Sequence, residues 1–422
     1  MNKSKIIFSS GLANTFEWYD YALFGHFAPI LGAKFFPDSD PSIALLNAFL
    51  VFAVGYLMRP LGGVFFGILG DRFGRKAALS GAIICMAVPT MTIGLLPTYD
   101  SIGITATALM IVARMLQGLS MGGALTGSIS FVIEHAPEEQ RGLAGSISMS
   151  SICIGILLGS VVAYSVKNIL SPEHFLDWGW RIPFLIGIFI IFAGLYIRNN
   201  ANETPLFEEM KSTGKLAKSP LKEVLKNHWF DMIITIGINA TGSVIFYTQA
   251  IYLMNFLKET RGFEAHIIDN IANICYLIMA VATVLVAGLS DIIGRKKIYF
   301  CNLIIIAIIS PFIMHAFEHG SLNEIIIMQI ILSIMAAAYI GPEPALQAAF
   351  YPTKVRNTAL SVSYNLATSI FGGTTPFILE YLYQKTHSTS AWSYYIVVCC
   401  AVSFISLFFY KDRMNVLAKE KK

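Results

Sequence analysis

GDRFGRK (Gly70–Lys76) and SDIIGRK (Ser290–Lys296) are two short charged stretches set in long apolar sequence, and their pairing decides how the chain reads. Asp71 matches Asp291, Gly74 matches Gly294 and Arg75 matches Arg295, each pair 220 residues apart. A second echo pairs Pro137 and Arg141 with Pro352 and Arg356, and Ser146 and Ser148 with Ser361 and Ser363, at an offset of 215. Two anchors at nearly one offset point to an internal duplication. Each loop follows an apolar run long enough to cross a bilayer, which takes roughly 20 residues for a hydrocarbon core about 30 Å thick.

Working outward, 55% of the 422 residues are hydrophobic and 13% charged, whereas a soluble domain carries about a quarter charged residues. Lipid offers the backbone no water, so apolar runs of this length without period-2 alternation must be helices. The fold class is all-α, a membrane protein with expected spans near 6–31, 42–69, 77–97, 102–133, 142–166, 180–198, 229–257, 266–289, 298–318, 322–345, 357–382 and 391–411. The polar stretch 199–228 separates an N-terminal six-helix bundle (1–198) from a C-terminal one with a short tail (229–422). These are twelve transmembrane helices in two pseudo-symmetric bundles, parallel repeats about an axis along the membrane normal. With the N-terminus inside, most lysines and arginines fall on the cytoplasmic side, and only Lys34, Lys167, Arg181, Lys258, Arg261 and Lys385 fall outside. Both termini are therefore expected in the cytoplasm, in a cell inner membrane. The N-terminus reads as a retained first helix, since no cleavage site follows and Glu17 and Asp20 interrupt the apolar run.

The net charge of +4 is spread over short loops, which argues against a nucleic-acid partner. The six cysteines lie inside spans without ligand spacing, and none of the eight histidines reads as part of a nucleophile–base or metal constellation with a Cys or Asp. No metal, no cofactor and no enzymatic constellation is expected. The expected partners are a small-molecule substrate, protons and the lipid bilayer, with the chain acting as a monomer.

The GDRFGRK loop, the run RMLQG (Arg114–Gly118) and the paired repeats resemble the major facilitator superfamily over the whole chain. Within it, FEWYD (Phe16–Asp20), MRPLGG (Met58–Gly63), EHAPEEQRG (Glu134–Gly142), DWGWRIPF (Asp177–Phe184) and YPTKVRN (Tyr351–Asn357) resemble the metabolite:proton symporter family. FFPDSDPS (Phe35–Ser42), TYDSIGI (Thr98–Ile104) and ETPLF (Glu203–Phe207) resemble its members that carry proline and glycine betaine. These motifs lie in loops and do not line a cavity. The resemblance implies secondary active transport by alternating access. It also implies that Asp71 and Arg75, with Asp291 and Arg295 in the second repeat, form gating charge networks. The chain departs from the family pattern at Ala124 and Ala349, where glutamates are usual. Glu343 in GPEP (Gly341–Pro344) is unusual, and we read it as a helix-end carboxylate facing the cytoplasm in preference to a compensating one.

Ionisable groups within a span cost about 2.5–3.5 kcal/mol on insertion scales and are functional candidates by default. On a helical wheel Asn14, Glu17, Asp20, Tyr21 and Phe24 share one face, opposite Leu12, Phe16, Tyr19, Leu23, Phe27 and Ile30. Glu17 and Arg59 each stand 12 residues from a cytoplasmic end, which places both about 18 Å deep. Glu17, with Asp20, is the candidate proton carrier tuned by Arg59; the alternative is a permanent Glu17–Arg59 pair that fixes packing. Arg114 shares a face with Gln117, and the resemblance implicates it in proton coupling or substrate binding. Asn14, Tyr21, Arg114 and Gln117 from the first half, and Asn239, Phe246 and Asn365 from the second, are the substrate candidates. Small polar residues such as Asn239 and Asn365 also glue membrane helices together at roughly 0.6 kcal/mol per contact.

A zwitterion needs one cation for its carboxylate and aromatic faces for its ammonium head, which Arg114, Tyr21 and Phe246 would supply. Proton-coupled uptake of such a solute, proline or glycine betaine, is the expected function. The alternatives are symport of a dicarboxylate such as 2-oxoglutarate and proton-driven export. Gly155-x-x-x-Gly159 lacks the proline of the superfamily's antiporter signature, which favours uptake.

Overall fold

The computed structural model describes residues 3–37 and 41–411. Its first part runs α1 (Lys3–Phe35), α2 (Pro41–Phe73), α3 (Arg75–Leu95), α4 (Ile104–His135), α5 (Arg141–Ile169) and α6 (Arg181–Asn200). Two short helices follow, α7 (Pro205–Ser212) and α8 (Pro220–Asn227), inside the stretch expected to be a linker. The second part runs α9 (Trp229–Tyr247), α10 (Ala265–Ile293), α11 (Arg295–His319), α12 (Leu322–Ile340), α13 (Glu343–Phe350), α14 (Arg356–Ala367), α15 (Thr375–Thr386) and α16 (Ser390–Phe409). Among the described residues nine helical segments are long and apolar enough to cross a membrane. The other three expected spans correspond to α1, α2 and the α14–α15 pair, which a π turn at Thr368–Gly372 interrupts. The basic tail beyond Lys411, expected to lie against anionic headgroups, falls outside the described residues.

The repeat is visible in the backbone. Gly74 joins α2 to α3 with φ +114°, and Gly294 joins α10 to α11 with φ +107°. Side chains rarely adopt that region, so both turns require glycine. At the other end of its span, α12 starts with a capping box in which the Ser321 side chain and Glu324 satisfy each other's backbone N–H groups.

Helices gather into two compact units. One falls within Met1–His135 and Ser151–Pro220, the other within Ala136–Ser150 and Leu221–Lys422. In the first unit α2 and α4 meet backbone to backbone. A Cβ on Gly118 would strike the carbonyl of Gly55, and one on Gly122 would strike that of Arg59. Small residues at such a seam replace the hydrophobic driving force that lipid removes. Tyr19, Leu23 and Phe27 from the apolar side of the α1 helical wheel pack with Trp180 and Phe184, and Phe24 from the opposite side is buried in the same cluster. The DWGWRIPF motif is an anchor: Trp180 is buried, and Arg181 stacks on it at 4.4 Å while donating to the carbonyls of Gly94 (3.1 Å) and Leu96 (2.6 Å). In the second unit YPTKVRN is structural in the same way. Buried Tyr351 bonds Thr235 (2.7 Å) and Ser363 (3.2 Å), and Arg356 donates to the carbonyl of Ala348 (2.8 Å).

Candidate functional site

Inside the first unit, α1, α2 and α4 enclose a pocket lined by Tyr21, Gly55, Tyr56, Arg59, Arg114, Gln117, Gly118 and Met121. The RxxQ spacing puts Arg114 and Gln117 on one face of α4, one turn apart. Arg114 Nη1 donates to Gln117 Oε1 at 2.6 Å, and Gln117 Nε2 donates to Asp20 Oδ2 at 2.6 Å and to Thr90 Oγ1 at 2.9 Å. One amide thus connects the guanidinium to the carboxylate and fixes the orientation of both. The Arg114 guanidinium also lies 3.8 Å over the Phe24 ring, a cation–π contact strengthened by burial. Glu17 is buried on the same helix and feels the charges of both Arg59 and Asp20. Arg59 stands 5.5 Å from the Tyr56 ring, and Tyr56 and Tyr21 share a hydrogen bond between their hydroxyls.

The structure therefore gathers Tyr21, Arg59, Arg114 and Gln117 around one pocket, with Asp20 held behind it through Gln117. Asn14 is elsewhere on α1: it donates to Ser128 Oγ at 3.0 Å and is not part of the pocket lining. Tyr56 and Thr90 were missed in the sequence, since neither carries a charge or a motif that separates it from packing residues.

In the second unit Asn239 donates to its own helix at the Thr235 carbonyl (2.9 Å) and accepts from Gln347 (2.7 Å), which also donates to Glu343 (2.8 Å). Asn365 donates within α14 to the Ser361 carbonyl at 2.7 Å. Phe246 packs edge-on against Tyr247 at 5.5 Å. Glu343 does not face outward at a helix end, contrary to the sequence reading. Gly341-Pro342 stops α12, and α13 restarts at Glu343, which leaves that carboxylate 5% exposed at a break within the bundle.

The predicted gating residues form one network in each unit. Arg75 is enclosed by Asp71 (3.1 Å), Glu134 (3.2 Å) and the Gly70 carbonyl (2.7 Å). Glu203 accepts from the backbone N–H groups of Arg75 (3.0 Å) and Lys76 (3.3 Å). Phe207 of α7 lies 5.3 Å from the Arg75 guanidinium, and Thr204 caps α7 while donating to Glu134 at 2.7 Å. Burial pushes the Glu203 carboxyl above the usual carboxylate range, against the N–H donors of Thr204 and Lys76 and the Arg75 charge, which pull it down. In the second unit Arg295 pairs with Asp291 at 2.7 Å, and Asp291 accepts from the backbone N–H groups of Gly142 (3.0 Å) and Leu143 (2.9 Å). Glu134 and Glu203 stand in the EHAPEEQRG and ETPLF motifs, and neither charge has a role that its local sequence announces.

Residues 6–236 match the family model described as sugar (and other) transporter, and residues 249–422 match that of the major facilitator superfamily. The proline/betaine transporter of Escherichia coli (strain K12) is 32% identical over 97% of this chain and 84% of its own length. The chain belongs to the major facilitator superfamily. The glycine betaine/proline/ectoine/pipecolic acid transporter OusA of Dickeya dadantii (strain 3937), also a relative, is 33% identical over 97% of this chain and 84% of its own. Among solved structures, the proton:xylose symporter XylE bound to 6-bromo-6-deoxy-D-glucose gives a TM-score of 0.77 at 20% identity, covering 96% of this chain and 95% of that one. The inward-open XylE of E. coli gives 0.64, covering 97% and 96%. At that identity the likeness is one of fold: a multi-pass, twelve-helix major facilitator transporter. The chain is a carrier of small molecules in the membrane, not an enzyme.

Proposed function

We propose that this chain takes up a zwitterion, proline or glycine betaine, together with protons by alternating access. The observation that carries the reading is the Arg114–Gln117–Asp20 chain beside Tyr21 and Tyr56. Arg114 offers a cation to the solute carboxylate, and the tyrosines offer faces to its ammonium head. When the solute engages Arg114, Asp20 loses part of the field of that guanidinium, and Glu17 feels the charge of Asp20 in turn, so solute and proton binding are coupled. The names of the relatives support the substrate class. In the second unit Asn239, Phe246 and Asn365 are the proposed substrate contacts. The Asp71–Arg75 and Asp291–Arg295 networks are proposed to open and close with the cycle. Residues 1–198 and 229–422 act as the two halves joined by 199–228, with both termini in the cytoplasm and the monomer as the working unit.

A second reading, symport of a dicarboxylate such as 2-oxoglutarate, is favoured by one observation: Arg59 lines the same pocket as Arg114, so two guanidinium groups are present. Uptake of labelled proline, glycine betaine and 2-oxoglutarate into proteoliposomes, with and without an inward proton gradient, separates them. Gradient-driven uptake of proline or betaine that collapses in Glu17→Gln is expected. Uptake of 2-oxoglutarate alone transfers the function to the second reading, and solute loss driven by the gradient makes the protein an exporter.

A further inference from the structure

We infer that Glu343 is a proton-binding site within the second unit, holding a proton in the described conformation and releasing it when the break between α12 and α13 rearranges. The argument begins with solvation. An ionised carboxylate taken out of water costs several kcal/mol unless a cation and hydrogen bonds replace the water. Glu343 is 5% exposed, and among the described residues its single hydrogen-bond partner is neutral, Gln347. The titratable groups that interact with it are Tyr299 of α11 and Tyr339 of α12. One layer further out stand Tyr364 and Tyr410, against Tyr299, and Cys399 and Cys400, against Tyr339. None of these is a cation. A neutral carboxylic acid fits this place, and a carboxylate does not.

Hydrogen-bond direction gives a second, independent argument. Asn239 turns its amide nitrogen to the Thr235 carbonyl, which leaves its oxygen facing Gln347 as an acceptor, and the same Gln347 amide nitrogen donates to Glu343. Glu343 Oε1 is thus a fixed acceptor, and any proton on the carboxyl resides on the other oxygen. Two buried groups are left with unused capacity: among the described residues Gln347 Oε1 and the Tyr299 hydroxyl have no hydrogen-bond partner, although Gln347 and Tyr299 are each 1% exposed. Buried polar atoms normally find partners. A cluster of three that are only partly satisfied is suited to accept a water or pass a proton.

The break supplies the release step. Pro342 and Pro344 flank Glu343 and remove two backbone donors, so the helix can bend there without breaking intrahelical bonds. Bending that admits water to Glu343 would stabilise its ionised form and let the proton go.

This inference does not rest on coupled uptake, because the proton can be observed without transport. The full-length protein is reconstituted in lipid nanodiscs, and its infrared spectrum is titrated through the C=O stretch of protonated carboxyl groups. One component of that band is expected to be lost in Glu343→Gln and kept in Glu17→Gln. Identical titrations of the wild type and Glu343→Gln would overturn the assignment. Should Glu343→Gln fail to fold, Gln347→Leu decides: removing the N–H donor must shift one C=O component to higher frequency, and an unmoved band refutes the inference.

Discussion

In the first unit Arg75 is fully enclosed among Asp71, Glu134 and the Gly70 carbonyl, while its counterpart Arg295 meets, among the described residues, a single carboxylate, Asp291, and keeps 18% of its side chain exposed. The repeat accounts for the difference. The offset of 215 that pairs Arg141 with Arg356 places Ala349 opposite Glu134, so the second loop lacks the partner that buries the arginine in the first. Asp291 is used otherwise: its oxygens accept from two N–H groups at the start of α5, where the orphan donors of a helix and its dipole favour a negative charge. One duplicated motif has become a buried charge cluster in one copy and a helix cap in the other. The cluster also holds α7 through Glu203, Thr204 and Phe207, so this part of the stretch expected to be a linker is tied to the first loop.

The largest test of this contrast is Arg75→Ala. It strands Asp71 and Glu134 as buried charges, and a loss of about 3–5 kcal/mol in the unfolding free energy of the purified protein is expected. A loss no larger than that of Arg295→Ala would erase the distinction. Next, Ala349→Glu restores the missing carboxylate, and a double-mutant cycle with Arg295→Ala should give a favourable coupling of about 0.5–3 kcal/mol. Zero coupling would mean that position 349 is not the reason for the difference. Arg295→Ala by itself should cost less than Arg75→Ala, because Asp291 keeps its two backbone donors. The smallest effect is a pH dependence at Glu203. Its folded-state affinity for a proton is raised, so its favourable contribution is complete below the ordinary carboxylate range and is lost as pH rises through the raised one. Thermal melts should therefore show the wild type losing ground to Glu203→Gln on that rise, and parallel curves would sink the prediction.

The fold was legible almost entirely, because span length, loop charge and the two echoes are sequence-local signals. The helical wheel of α1 separated packing residues such as Leu23 from polar ones such as Asp20 for the same reason. Contacts between helices were not legible. Thr90 reaches Gln117 from α3, and Glu203 reaches the loop before α3 from more than a hundred residues away, and nothing in either local sequence announces its partner. Glu343 was misread because a span drawn from hydropathy runs smoothly through 322–345, whereas Gly341-Pro342 ends the helix before the carboxylate. Asn14 shares a face with Asp20 yet serves a different neighbour, since a wheel reports direction and not depth.

The seam between α2 and α4 has a consequence for what the pocket can recognise. With Gly118 and Gly122 laid directly on the carbonyls of Gly55 and Arg59, no side chain stands between the two helices at those two contacts. Arg59 rides on one of these helices and Arg114 on the other. The spacing of the two backbones is therefore set by glycine, and the distance between the two guanidinium groups is left to their own side-chain rotamers.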